Sequence, residues 1–329
     1  PCVRIELLTT GTELLLGTTQ NTHGAWIGQR LLTIGLRVAR QVTVPDGKPV
    51  GEAMRMGLEQ GEVLIVTGGL GPTSDDLTRE SLAEVLGLEM IEDEAALRTI
   101  EDFFAKRGRS MAKANRKQAM APVGADILPN PNGTAPGLYL PPRQSGAHNC
   151  AVFLLPGPPR EMYPMFEREV VPRLQALGGV ETMPGFLELK FVGIGESDFH
   201  QGVDAQLEAI EGLEHGYCAR LGEVDLRLIG TPGALANGRQ VAEAAFAHAL
   251  VSDDGAGLEE VVLRELREQG KTVATAESCT GGLIATRLTD VAGASDVFRF
   301  GFVTYANEAK RDLIGVSWDD LAEHGAVSE

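Results

Sequence analysis

Residues 63–66, Val-Leu-Ile-Val, run without a polar residue straight into Thr67-Gly68-Gly69-Leu70-Gly71-Pro72-Thr73-Ser74-Asp75-Asp76, after which a helical pattern starts at Thr78. An apolar strand this short and continuous needs cover on both faces, which parallel sheets obtain from crossover helices. The loop that leaves such a strand lies where open α/β sheets bind ligands. Gly68, Gly69 and Gly71 let the backbone approach an anion, and Pro72, Thr73 and Ser74 complete a turn with two hydroxyls. Asp75 and Asp76 suit a hard divalent cation better than phosphate. The same letters also describe a plain glycine turn with an aspartate helix cap, and that reading stays open.

The flanking sequence supports an α/β architecture. Strands are expected at residues 3–8, 37–44, 63–66, 125–128 and 150–155, with helices at 22–34, 49–59, 78–86, 93–107 and 160–177. Gly178-Gly179 closes the last helix and places the first boundary there. From residue 184 to 252 the order strand, helix, strand, strand, helix describes a small α+β module, and residues 252–255 read as a linker. A further α/β domain begins at residue 256. Only about 75 residues follow the linker, fewer than an ordinary domain core needs, so this domain is expected to be incomplete. The expected divisions are therefore 1–178, 184–252 and 256–329.

Composition excludes several classes of function. The net charge of −17 repels the phosphate backbone, so direct nucleic-acid binding is not expected. No apolar run long enough for a membrane helix occurs, and the chain opens on a strand pattern instead of a signal segment, so a cytoplasmic, non-membrane protein is expected. Cys2, Cys150, Cys218 and Cys279 are too scattered for a zinc site or a disulfide framework. A homodimer is the default assembly.

Four further segments carry polar groups at places suited to a ligand. Gly11-Thr12-Glu13 follows the first strand, so Glu13 is expected to join Asp75 and Asp76 around a divalent metal ion of the magnesium or cobalt type. Asn115 and Lys117 lie in a basic stretch, with Lys117 a point charge for phosphate. Asn130, Gly133 and Thr134 form a turn with backbone donors, and Gly157 ends another buried strand. Each also has a structural reading, as solvated loop, basic face, surface turn or helix cap. Near the C-terminus, Ser278 lies at a strand-to-helix turn, where a helix N-terminus would stabilise an oxyanion. Helix capping by Ser278 and nucleophilic attack by Cys279 are the alternatives there.

Taken in order, GTELLLG, TGGLGPTSDD, NRKQA, NPNGTAPG and LPGPPREM resemble the N-terminal domain of the CinA (competence/damage-inducible) family, which has the three-layer molybdopterin-binding MoaB/MogA-like fold. AESCTGG, YANEAK and HGAVSE resemble that family's nicotinamide-mononucleotide deamidase domain, and the middle segment is similar to its small KH-like module. The resemblance implies an enzyme of pyridine-nucleotide recycling. Its N-terminal domain would be a metal-dependent pyrophosphatase that splits ADP-ribose into AMP and ribose 5-phosphate, with Asp76 catalytic. Its C-terminal domain, when complete, would hydrolyse nicotinamide mononucleotide to nicotinate mononucleotide and ammonia, with Ser278 as nucleophile, Lys310 as base and Tyr305 assisting. Family deamidase domains continue beyond the HGAVSE string. A non-hydrolytic molybdopterin-binding module, or an adaptor in competence or DNA repair, is the alternative. The middle segment lacks the G-x-x-G loop of nucleic-acid-binding KH modules and is itself acidic, so it is expected to act as a spacer.

Overall fold

The computed structural model describes residues 3–142, 149–177, 185–220 and 222–327. The expected helix end at Gly178-Gly179, the first of the four cysteines, and Ser328 and Glu329 of the last motif lie outside them. The chain divides into two units, Pro1–Pro184 and Gly185–Glu329.

The first unit is built on a six-stranded sheet. Its elements are β1 (Ile5–Thr10), β2 (Val38–Val44), β3 (Val63–Thr67), a separate antiparallel pair β4 (Met90–Glu92) and β5 (Met120–Pro122), then β6 (Asp126–Leu128), β7 (Gly137–Leu140) and β8 (Ala151–Leu155). The sheet order is β2-β1-β3-β8-β7-β6, parallel through the first four strands and antiparallel at the last two. Every residue of β3 is buried, and its side chains alternate between two cores. Val63 and Ile65 join a cluster with Ile27, Leu31, Met162 and Phe166 on one face. Leu64 and Val66 join Val50, Met54, Leu58 and Leu82 on the other. Helices His23–Leu32 and Pro159–Met165 thus cover one face, and Pro49–Gln60 and Thr78–Leu86 the other, which makes three layers.

Three strands escape the sequence reading. β4 and β5 are only three residues each, and β7 follows a Pro/Gly-rich loop that masks its short apolar run. The helix expected at 160–177 is interrupted by a π turn at Phe166–Val170, next to Pro164, which lacks the N–H that a regular turn needs.

The second unit begins with β9 (Gly185–Val192), β10 (Leu213–Arg220), β11 (Glu223–Gly230) and β12 (Leu250–Ser252), an antiparallel sheet of order β10-β11-β9-β12. Helices Glu196–Glu208 and Pro232–Phe246 pack on it through Phe199, Val203, Leu207 and Ala242. The second helix starts at Pro232, where Thr231 caps it and proline takes the first turn. The expected linker at 252–255 is the end of β12 and an ordered turn: the Asp254 carboxylate accepts from the Ser252 hydroxyl, Ala256 N–H and Arg264. Arg264 above all holds the pKa of Asp254 down to about 2.

Beyond it, β13 (Val273–Glu277) and β14 (Phe298–Val303) pair in parallel, with helices Leu258–Glu268 and Leu283–Thr289 around a small core of Leu263, Leu288, Ala294 and Val297. Arg287 bonds both Glu259 and Glu223, and so ties this part to β11. Among the described residues, no helix is long and apolar enough to cross a membrane.

Leu64 is 1% exposed, so Leu64→Ala should destabilise the first unit by about 3–5 kcal/mol. Leu16 is 72% exposed, so Leu16→Ala should stay within about 0.5 kcal/mol of the parent. Urea unfolding followed by tryptophan fluorescence checks both.

Candidate functional sites

The first site forms where three parallel strands end together. Thr67 of β3 lies opposite Thr9 of β1 and Leu155 of β8, so the loops starting at Gly11, Gly68 and Pro156 emerge on one edge. Gly68 has φ 100°, and a Cβ there would stand 2.5 Å from the Thr10 carbonyl oxygen. Gly69 has φ 64°, with Thr78 Oγ1 where its Cβ would be. Only glycine lets the chain turn this close to β1. The loop is fastened from below, where Thr78 donates to Gly68 O at 2.9 Å. Within it, the Asp76 carboxylate accepts from Thr73 N–H at 2.9 Å and from the Thr73 hydroxyl.

The result is a cleft of about 410 Å³. Of the expected ligand-binding residues, Gly11, Gly68, Gly69, Gly71, Pro72 and Thr73 line it, as do Thr134 and Gly157. Thr12, Ser74, Asn115, Lys117, Asn130 and Gly133 do not. The reasons are visible in their partners. Lys117, expected to meet phosphate, donates instead to the carbonyls of Thr73 at 2.6 Å and Asp76 at 2.7 Å, so it shapes the loop. Thr12 is turned to Asp46. Asn115 is buried against Gln118, and Asn130 donates to Ala135 O and Glu161.

Five carboxylates line the cleft: Glu13, Asp46, Asp75, Asp76 and Glu161. Asp46 accepts from Thr10 and Thr12, Glu161 from Asn130, and Asp76 from Thr73. The neighbouring Thr73 side chain, with Lys117 adding a smaller effect, holds the Asp75 carboxyl below its usual range. Among the described residues, no three His, Cys, Asp or Glu side chains converge as a metal-binding group. The expected set of Asp75, Asp76 and Glu13 is therefore not assembled as a cage, because Asp76 is turned back onto its own loop. The donors still fit a cation shared with a diphosphate, for which magnesium needs only one or two carboxylates plus phosphate oxygens and water.

Arg79 is the main residue that the motifs do not reveal. It is 0% exposed and donates to Leu70 O at 3.0 Å and Pro136 O at 3.3 Å, so it joins the glycine loop to the 129–137 loop. Burial pushes its pKa down to about 10. In the sequence it is only one charge in a helix that is otherwise amphipathic. Asp46, Gln118 and Glu161 were likewise hidden, the first in a turn and the others in stretches that read as a basic face and a helix cap. His23 is also new: its Nδ1 is 3.0 Å from Thr67 Oγ1, and burial lowers its pKa against the opposing effect of the Gly157 backbone.

The second site lies at the end of β13. The Glu277 carboxylate accepts from Thr280 Oγ1, Ile284 N–H and Ala285 N–H, each at 2.9 Å. Burial works against this carboxylate, but the N–H groups of Ala285 and Ile284 outweigh it and its pKa falls. Its own backbone oxygen accepts from Thr304 N–H at 2.7 Å. Lys310 is 7% exposed. Its Nζ lies 3.0 Å from Ser278 Oγ, 2.7 Å from Thr304 O and 3.1 Å from Tyr305 O. Ser278, Cys279, Lys310, Asp320 and His324 line a cleft of about 500 Å³.

Two expectations change here. The helix N-terminus near Ser278 is occupied by Glu277, so its dipole is not free to hold an oxyanion, and Ser278 is not the cap. Tyr305 contributes its carbonyl oxygen; its side chain is 74% exposed and does not line the cleft.

Residues 6–176 match the family described as Probable molybdopterin binding domain, and residues 255–329 match the CinA C-terminal domain. The first unit, with its parallel-rich sheet and glycine-loop cleft, is thus a domain of the molybdopterin-binding class. A CinA-like protein of Akkermansia muciniphila is 49% identical over 327 residues, covering 99% of this chain and 78% of that protein. A CinA-like protein of Nostoc sp. is 40% identical over 336 residues, covering 98% and 77%. The crystal structure of the CinA protein of Thermoplasma acidophilum is 34% identical and covers 52% of this chain and 98% of its own, with a TM-score of 0.47. The chain belongs to the CinA family.

Arg79→Ala removes a donor from two buried carbonyl oxygens, Leu70 O keeping only the longer bond from Gln118, and opens a void, and should cost the first unit about 3 kcal/mol. Urea unfolding measures the loss. Amide hydrogen exchange should rise first in the loops that contain Leu70 and Pro136.

Proposed function

We propose that the chain acts in pyridine-nucleotide recycling, the role that CinA membership suggests, through two hydrolytic sites. The observation that carries this reading is the Lys310 Nζ to Ser278 Oγ contact of 3.0 Å inside a cleft. Thr304 O and Tyr305 O can only accept hydrogen bonds, so they hold N–H bonds of Lys310. Ser278 can donate as well as accept, so when Lys310 acts as a base its lone pair has one favourable direction, toward the serine hydroxyl. Lys310 then takes the hydroxyl proton as Oγ attacks the carboxamide carbon of nicotinamide mononucleotide. The C–N bond breaks, the proton returns to the leaving nitrogen as ammonia departs, and water releases nicotinate mononucleotide from the serine ester.

In the first unit, the glycine-loop cleft would hold the diphosphate of ADP-ribose by backbone N–H groups, and Asp75 and Glu13 would share a divalent cation with it. That cation would neutralise the phosphate charge and favour attack by water. Water adds across one P–O bond of the bridge and yields AMP and ribose 5-phosphate. We include in this reading a cytoplasmic homodimer that does not contact nucleic acid. The match of residues 6–176 to a molybdopterin-binding family favours a second reading, in which the same cleft binds a phosphorylated pterin without hydrolysis.

Ammonia release from nicotinamide mononucleotide should fall by about 10³-fold or more in Ser278→Ala and in Lys310→Met, with no further loss in the double variant. No ammonia from the parent chain overturns the amidase half. AMP release from ADP-ribose should require magnesium or cobalt and fall at least about tenfold in Asp75→Asn/Glu13→Gln. Pterin binding without AMP release under either metal selects the second reading.

A further inference from the structure

Six charged side chains meet where the small α+β module joins the last part of the chain, and neither proposed reaction uses them. Lys190 of β9 and Glu223 and Asp225 of β11 are buried. Arg220 ends β10, Glu259 lies in helix Leu258–Glu268 and Arg287 in helix Leu283–Thr289. We infer that Glu223 is a positioning residue of the second site: through Arg287 it fixes the short helix whose N–H groups hold Glu277, and Glu277 fixes Ser278 and Lys310. The inference rests on the amidase reading for its kinetic readout. It adds that the small module belongs to the frame of that site, where its sequence suggests a spacer.

Pairing within the network shows why Glu223 needs Arg287. Asp225 takes both cations of the module, Lys190 and, at 2.7 Å, Arg220. Glu223 is left 3.6 Å from Lys190, beyond hydrogen-bond reach. Among the described residues, the one side-chain hydrogen bond that Glu223 receives comes from Arg287 Nη2 at 3.2 Å. A buried carboxylate that loses its donor is costly, which favours keeping this contact. Arg287 Nε bonds Glu259 as well, so one planar guanidinium is pinned between two elements. Both of its acceptors are more buried than Arg287 itself, so they set its position.

The helix needs that anchor. Leu288 is its only buried residue, while Leu283 and Ile284 are 57% and 50% exposed. One buried side chain fixes where the helix lies but leaves it free to turn about that point. Gly281 and Gly282, with φ 62° and 96°, connect it to the Ser278 turn, and no Cβ stiffens that link. Arg287 stands one turn from Ile284 and Ala285, whose N–H groups each reach the Glu277 carboxylate at 2.9 Å. A rotation allowed at Arg287 therefore moves the two donors that hold Glu277. From there the backbone passes it on, because Thr304 N–H bonds Glu277 O and Thr304 O accepts from Lys310.

The test compares the full chain with Glu223→Gln, Arg287→Met and, as a control at the same junction, Arg264→Met, which breaks the Asp254 ion pair without touching the helix. Hydrogen exchange of the Ile284, Ala285 and Thr304 amides should speed up at least about threefold in the first two variants, with the amides of helix Glu196–Glu208 at their parent rates. The kcat for ammonia release from nicotinamide mononucleotide should fall at least about threefold in each, with KM unchanged, and no further in the double variant. Arg264→Met should match the parent in both readouts. Unchanged exchange and kcat in Glu223→Gln, an equal loss in Arg264→Met, or losses that add in the double variant overturn the inference. A parent that releases no ammonia refutes the amidase reading, and the exchange rates then decide the anchorage by themselves, faster rates in the first two variants supporting it and unchanged rates overturning it.

Discussion

The burial of β3 on both faces governs what the first unit can do. Val63 to Val66 spend every side chain on one of two cores, and Thr67 is buried with its hydroxyl against His23, so no side chain of the strand lines the cleft. Polar function is confined to the edge where β1, β3 and β8 end, and there the backbone itself becomes the ligand-binding material. Gly68 and Gly69 follow from this, because their positive φ angles bring the loop back across the end of β1.

A loop made largely of backbone has to be held by something else. Lys117 and Arg79 supply that by donating to carbonyl oxygens, and Lys117 also lies 3.9 Å from a Glu80 carboxylate oxygen. Arg79 does so in full burial, where the desolvation of a guanidinium is costly unless several acceptors meet it. Two cations that look like phosphate binders or surface charges are therefore parts of the frame. Among the described residues, the cleft lining they support holds five carboxylates and no Lys, Arg or His.

The second site follows a different principle. Glu277 takes up the N–H groups at the start of the following helix, and its backbone oxygen holds Thr304, whose carbonyl in turn positions Lys310. The turn that carries Ser278 and the position of Lys310 are thus both set by Glu277. Burial of Lys310 among acceptors removes its freedom to turn elsewhere. That is what makes its approach to Ser278 directional.

Much of this was legible in the order of residues. The apolar run before Gly68 and the glycine string carry their reading locally, because strand burial and turn geometry depend on near neighbours, whereas the roles expected of Ser278 and Lys310 came from the resemblance alone. Element types were mostly readable for the same reason, and the exceptions in the first unit, β4, β5 and β7, are too short to show a period. What the tertiary structure alone decided is which polar groups face a ligand. Nothing local in Lys117 or Arg79 says that each ends on a carbonyl of a distant loop, in Asp76 that it bends back to Thr73, or in Tyr305 that its carbonyl and not its phenol meets Lys310. Those outcomes depend on which chain segments are brought side by side, and hydrogen-bond partners in a folded chain are chosen by proximity in space, which pattern and propensity do not encode.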